Sequence, residues 1–279
     1  MRVPFRAIAL LAAASALLIH GCSRQMPNAP GATRASAVSP ALESSSHGGG
    51  NSSATPTVVM SSGAIEADVA SFRTLLGDPN NGATPGQQAA GRREVNWDGV
   101  PAEFTNTDDF PNDFFNTTSP RGLFYNRTGH GLEVSDRGFT DVNPDYQGEF
   151  NTFSAPKLFA PAGGNVVDVR FRVAGSDTKA AVTGIGVVFC DVDKLGSTTM
   201  ELRGEHGDNL GTFTVPVRTD ERGLSFLGVM FSSPRISRVI ITTGDGRLRD
   251  DELDVTAGGR HDLVVMDNFL FGEPMATDH

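Results

Sequence analysis

From about Arg93 onward, apolar and polar residues alternate with a period of two. Val167, Val169, Phe171 and Val173 interleave with Asp168, Arg170 and Arg172, the pattern of a half-buried strand. Further strands are read at 185–192, 198–202, 210–217, 224–231, 236–242 and 263–271. Turn-formers such as Asp208-Asn209 and Ser233-Pro234 separate them. Short strands with regular turn signals, and no helical pattern between them, predict an all-β chain. The expected architecture is an antiparallel β-sandwich of jelly-roll or lectin-like type. One helical pattern precedes it: Ile65, Val69, Phe72 and Leu76 form a single apolar stripe, with Ser61 or Ser62 as cap and Gly77 as stop.

The N-terminus has a different texture. Arg2 and Arg6 precede an apolar run from Ala7 to Ile19, too short to span a bilayer, which needs roughly 20 residues. The run leads into Ile19-His20-Gly21-Cys22, which resembles the lipobox of bacterial lipoproteins, where the cysteine is lipidated and becomes the first residue. His20 is unusual there, and an ordinary secretory signal with a chance cysteine is the alternative. Residues 22–60 are rich in Ser, Ala, Gly and Pro and read as a flexible tether. The expected organisation is a signal peptide at 1–21, a tether at 22–60 and one sandwich domain with its N-terminal helix at 61–279. Cys22 is the expected lipidation site. The expected address is the cell envelope, with a membrane anchor, and Ser23 after the cysteine suits the outer membrane.

Composition narrows the partners. Without Arg2 and Arg6, the 23 basic residues fall to 21 against 33 acidic ones. An acidic chain with no basic run argues against nucleic-acid binding, which relies on Lys and Arg neutralising phosphates. If Cys22 is lipidated, Cys190 stands alone and no internal disulfide forms; its apolar neighbours Val187, Val188 and Phe189 make it a small core residue. The segment 101–122 mixes Phe with turn-formers. It reads as a long loop pinned by aromatic side chains, with a functional loop and a structural cover weighed equally.

Several stretches resemble an uncharacterised family of exported bacterial proteins. The carrying motifs are Phe72-Arg73-Thr74-Leu75-Leu76-Gly77-Asp78-Pro79-Asn80-Asn81, Arg92-Arg93-Glu94-Val95-Asn96-Trp97-Asp98-Gly99 and Gly184-Ile185-Gly186-Val187-Val188-Phe189-Cys190-Asp191-Val192-Asp193, with Phe226-Leu227-Gly228-Val229 and Val265-Met266-Asp267-Asn268-Phe269. The resemblance implies one lectin-like β-sandwich outside the cytoplasm. It carries no activity or site to transfer.

The sharpest candidate chemistry is Asp191 with Asp193. On one strand they would share a face, about 6.5–7 Å apart, and repel unless a cation or solvent intervenes. Calcium prefers six to eight oxygen ligands, so a structural Ca2+ site is one reading, with Asp267 as a distant contributor and Asn268 or Asp98 as further oxygen donors. Two solvated acids are the other. If Asp267 is buried it needs a partner, for which Arg92, Arg93 or the ion are candidates. Trp97, Tyr125 and Tyr146 are the candidate sugar-stacking aromatics, although Trp97 beside Val95 reads more readily as core. No HExxH, GxSxG or phosphate-loop motif occurs. The expected function is an envelope-anchored, non-enzymatic binding or adhesion module for glycans or matrix polymer. The alternatives are a glycan hydrolase or lyase using paired carboxylates, and a purely structural envelope protein.

Overall fold

The computed structural model describes residues 37–38, 55–126, 131–220 and 222–277. Cys22, the signal segment and most of the tether lie outside the described residues. Two antiparallel sheets stack face to face, as expected from the alternation. The larger sheet runs β1 (Ala37–Val38), β2 (Thr57–Ser62), β12 (Leu224–Met230), β9 (Gly184–Cys190), β14 (Val265–Gly272), β6 (Leu158–Pro161) and β5 (Leu132–Ser135), with β3 (Arg92–Val95) also paired to β14. The smaller runs β11 (Asn209–Thr214), β10 (Thr199–Arg203), β13 (Arg238–Thr242), β7 (Val166–Phe171) and β4 (Leu123–Asn126). A short ladder joins β8 (Ala180–Ala181) to β15 (Met275–Ala276). The seven strand segments expected from alternation are all present, with ends shifted by up to three residues.

The core lies between the sheets. Val167, Val169 and Phe171 of β7 and Val239 and Ile241 of β13 face Ile185, Val187 and Phe189 of β9 and Phe269 and Phe271 of β14. Strand β2 begins inside the segment read as tether, so the sandwich starts before residue 61. Its Val58 and Val59 are buried, and its backbone pairs with β12 from Thr57 to Ser62. That pairing leaves Ser61 and Ser62 in a strand rather than capping the helix.

Helix α1 (Glu66–Leu76) covers the outer face of the larger sheet with the expected stripe: Ile65, Val69, Phe72 and Leu76 are all buried. It has no side-chain N-cap, and Gly77 ends it at φ 94°. Its seat is a glycine pair. Gly186 and Gly228 are direct cross-strand partners, and a Cβ on either would come within 2.7 Å of the Phe72 ring. Only bare backbone lets the ring approach so closely.

The segment 101–122 runs along the edge strands of the two sheets, with backbone hydrogen bonds to Leu132 and Val134 of β5 and to Leu123 and Tyr125 of β4. Phe110, Phe114 and Phe115 are buried, and Phe110 and Phe115 meet Trp97 edge-on at 6.0 and 5.4 Å. Beside it, Arg93 is fully buried and meets Glu273 through two hydrogen bonds of 2.7 and 2.8 Å. Its remaining N–H groups donate to the carbonyls of Gly82, Thr84, Pro120 and Gly86. The pair ties the 80–90 loop to the turn that follows β14. Arg93 is therefore committed to Glu273 and is not the partner of Asp267. No helix among the described residues is long and apolar enough to cross a membrane.

Candidate metal centre

Three loops at one end of the sandwich bring acids together. Asp191 and Asp193 leave the end of β9, Asp254 and Asp262 come from the loop before β14, and Glu149 lies in the loop before β6. Two overlapping groups form, Glu149–Asp191–Asp254 and Asp193–Asp254–Asp262, each with one ligand atom per residue within 4.8 Å of the others. The ladder ends at Cys190, and Asp191 takes φ 70°. That left-handed backbone breaks strand alternation, so the shared strand face expected of Asp191 and Asp193 does not apply. Turning at Asp191 is what buries its side chain, which is 0% exposed rather than solvated.

The hydrogen bonding of these acids is uneven. Asp254 is fixed by the amides of Thr256 and Leu263 at 2.6 and 2.8 Å and by the Thr256 hydroxyl at 2.7 Å. Asp262 accepts from the amides of Asp193 and Lys194 at 3.0 and 3.3 Å, and from Ser197 Oγ. Asp191 accepts one weak bond, from the Arg222 amide at 3.2 Å, and its Oδ2 is buried without a hydrogen-bond partner. Both carboxylate oxygens of Asp193 are in the same position. The nearby cation turns away: Lys194 Nζ goes to Asp245, at 3.1 Å, and to the carbonyl of Arg260.

Electrostatics record the crowding. Burial, then the charges of Asp254, Asp193 and Glu149, push Asp191 up to about 9. Burial, Asp254 and Asp262 raise Asp193 in the same way. Burial also raises Asp262, against the bonds it accepts from Ser197 and from the Asp193 and Lys194 amides. Packed acids with uncompensated buried oxygens are costly as bare anions. A divalent cation reverses that cost. The donors are all carboxylate oxygens with neither His nor Cys among them, a hard set that suits calcium, magnesium or manganese. Irregular loops supplying many oxygens fit the flexible coordination of calcium better than the strict octahedron of magnesium. These buried acids can hold a metal such as Ca2+.

Asp267 lies elsewhere. A register shift in β14 between Met266 and Phe269 resolves its ambiguous strand parity. Its Oδ2 accepts from the amides of Phe153 and Ser154 at 2.6 and 3.0 Å, and its Oδ1 from Ser154 Oγ at 3.2 Å. Burial pushes it up to about 7 despite these bonds. It belongs to neither acid group, so backbone donors, not a metal or an arginine, balance this buried carboxyl. Asn268 accepts from Ser154 Oγ, and Asp98 from the Lys157 amide and Asn96.

The candidate stacking aromatics are all buried. Trp97 is 1% exposed, lies flat on Phe159 with centroids 3.9 Å apart, and donates from Nε1 to the Asp267 carbonyl at 2.7 Å. Its φ of 67° turns it inward. Tyr125 packs against Phe159 in the same cluster. Tyr146 is buried with its hydroxyl bonded to the backbone of Arg249. None offers a face to a sugar, and every Phe, Tyr and Trp among the described residues is partly or fully buried.

A groove of about 240 Å³ opens on the outer face of the smaller sheet. Arg170, Arg203 and Arg238 line it, together with Phe124, Ser237 and Thr277. Glu205 is the one acid in its lining. Sequence reasoning did not reach this groove, because it depends on strand register.

No protein-family model and no curated protein matches the sequence. Among solved structures, the chain is similar to a variant of the family 29 carbohydrate-binding module CBM29-2, at 12% identity over 65% of this chain and 91% of that one, with a TM-score of 0.29. The same module in complex with mannohexaose aligns at 11% identity over 66% of this chain and 92% of that one, with a TM-score of 0.29. The CBM22-1 xylan-binding domain of Paenibacillus barcinonensis Xyn10C aligns at 14% identity over 58% of this chain and 90% of that one, with a TM-score of 0.26. Scores of this size mark faint likenesses of sandwich layout, and no ligand is carried over from them.

Proposed function

We propose that this chain is an exported, envelope-anchored β-sandwich that binds glycan or extracellular polymer without cleaving it, with calcium locking the loops at one end. The observation that carries the binding reading is the separation of groove and acids. The open groove of the smaller sheet presents hydrogen-bond donors and a single acid. The converging carboxylates sit under loops at a different place. Glycoside cleavage places two carboxylates across a sugar in an open cleft, about 5–10 Å apart. Here three acids at a time crowd within 4.8 Å, and Asp191, Asp254 and Asp262 are buried. That arrangement suits an ion and disfavours the hydrolase or lyase reading.

Anchorage rests on the segment ending Ile19-His20-Gly21-Cys22. Lipid attachment at Cys22 would hold the domain at the membrane, with outer-membrane placement following from Ser23. Fractionation tests this part: Cys22→Ser should release the domain from membranes or leave the precursor uncut. Palmitate incorporation that survives the substitution would overturn it. Affinity electrophoresis through gels containing different polysaccharides tests binding. Retardation by at least one supports the reading, and unaltered migration in all leaves a purely structural envelope protein.

A further inference from the structure

The groove on the smaller sheet has an arrangement that sheet stability alone disfavours. Arg170 of β7 stands directly opposite Arg238 of β13, and Arg238 directly opposite Arg203 of β10. Phe124 of β4 completes the row beside Arg170. Three arginines thus cross three adjacent strands in one line, spaced by the inter-strand distance of about 4.8 Å. Like charges directly opposite one another destabilise a sheet. The neighbouring row compensates only part of this. Asp168 takes Arg238 in two bonds of 2.8 and 2.9 Å and Arg170 at 3.4 Å, and Glu201 takes Arg203. Arg172 and Lys179 add two further cations to the lining, in a chain whose net charge is −10.

A second observation points the same way. The Nε atoms of Arg170 and Arg203, Ser237 Oγ and Thr277 Oγ1 are all buried without a hydrogen-bond partner, and all four residues line this groove. Buried polar groups are ordinarily satisfied, so four unpaired ones beside one groove mark side chains whose hydrogen bonding the protein alone does not complete. The arginines remain reachable: the side chains of Arg170, Arg203 and Arg238 are 40%, 34% and 37% exposed. A bulge at Leu202/Arg203 in the β10–β11 ladder re-aims the last of them.

We propose that this groove binds a carboxylated polysaccharide, a polymer of uronic acid residues laid across the strands with its carboxylates on the Arg170–Arg238–Arg203 row. This deepens the glycan-binding reading above and rests on it. Guanidinium groups hold carboxylates through paired, charge-assisted hydrogen bonds. Ser237 and Thr277 would serve sugar hydroxyls. A long nucleic acid is a poorer occupant, because the acidic body of the protein repels it beyond the groove.

The test uses short oligogalacturonates and their methyl esters, which keep the sugar backbone and lose the charge. Calcium is kept too low for the oligomers to gel, and binding is read by titration calorimetry. The free acids should bind and the esters at least about tenfold more weakly, as expected when charged hydrogen bonds are lost. The variant Arg170→Gln/Arg203→Gln should also lose about tenfold toward the free acids while its melting temperature stays within about 2 °C of wild type. Arg238 is left intact because its loss would strand the buried Asp168. Equal binding of acid and ester overturns the carboxylate assignment while leaving glycan binding standing. Equal binding of dextran sulfate, with the same sensitivity to the variant, overturns it in favour of a generic polyanion surface. Binding that the double variant does not change overturns the location. No binding to these or to neutral mannan and xylan oligomers defeats the proposed function itself.

Discussion

Removing calcium should destabilise this protein, and removing two of its acids should reverse the effect. In the metal-free chain, Asp191 and Asp193 are held against Asp254 and Asp262 with buried oxygens that nothing else satisfies. An ion that binds the folded state alone stabilises it by about 2.7 kcal/mol at a hundredfold excess over Kd. For a domain of 150–250 residues, each kcal/mol moves the melting temperature by about 2–4 °C. Calcium at saturating excess should therefore raise it by roughly 5–11 °C over EDTA-treated protein. The variant Asp191→Asn/Asp193→Asn should lose that response. In EDTA at pH 8 it should melt above wild type, because the same substitution removes the repulsion. Differential scanning fluorimetry on protein stripped of metal and then dialysed with calcium, magnesium or EDTA reads all of this. A wild-type melting temperature indifferent to calcium and chelator would refute the reasoning, and so would a variant that keeps the calcium response.

Three further outcomes follow from the same structure. Without metal, Asp191 is pushed up to about 9 and Asp267 to about 7, against roughly 3.9 in the unfolded chain, so the folded protein holds protons that the unfolded one has released. Stability without metal should then fall as pH rises from about 4 to 9, by up to about 1.4 kcal/mol per pH unit for each proton retained, while calcium binding strengthens over the same range; urea melts at pH 5 and 8 in EDTA check the sign. Phe72→Ala should cost about 3–5 kcal/mol, since the ring fills the seat on Gly186 and Gly228, and an unfolding free energy from denaturant melts lowered by less than about 1 kcal/mol would contradict the packing. Arg93→Ala should cost about 3–5 kcal/mol by stranding the buried Glu273, and Arg93→Ala/Glu273→Ala should cost less than the sum of the single variants in a double-mutant cycle.

Strands with one face on the core were legible, because alternation is what a half-buried strand imposes on sequence. Strands β5 and β6 were missed because each is only four residues long, too short to establish a period, and Leu158–Pro161 ends on a proline. Strand β2 hid among Thr and Ser residues that look like tether. The candidate site divides in the same way. Asp191 and Asp193 stood out because they are two residues apart. Asp254, Asp262 and Glu149 did not, because they reach the cluster through loops, and Asp250, Asp251 and Glu252 offer equally good acids nearby. Asp267 was misassigned because the register shift in β14 is invisible in its apolar pattern. The core reading of Trp97, made from its place beside Val95, agrees with its burial, although its positive φ was not legible. The arginine row exists only once three strands are in register, so no spacing along the chain reveals it.

Binding without turnover is the central claim, and one measurement addresses both halves. Protein loaded with calcium and freed of the excess, so that the oligomers do not gel, is incubated with oligogalacturonates, and the same samples are read for bound sugar by calorimetry and for chain cleavage by new reducing ends and by the ultraviolet absorbance of unsaturated products. The account predicts saturable binding, lost on Arg170→Gln/Arg203→Gln, with neither reducing ends nor unsaturated sugars above the protein-free control. Cleavage products that grow with time, and vanish in Asp191→Asn/Asp193→Asn while the groove variant keeps making them, would contradict it and make the acid cluster a catalytic centre.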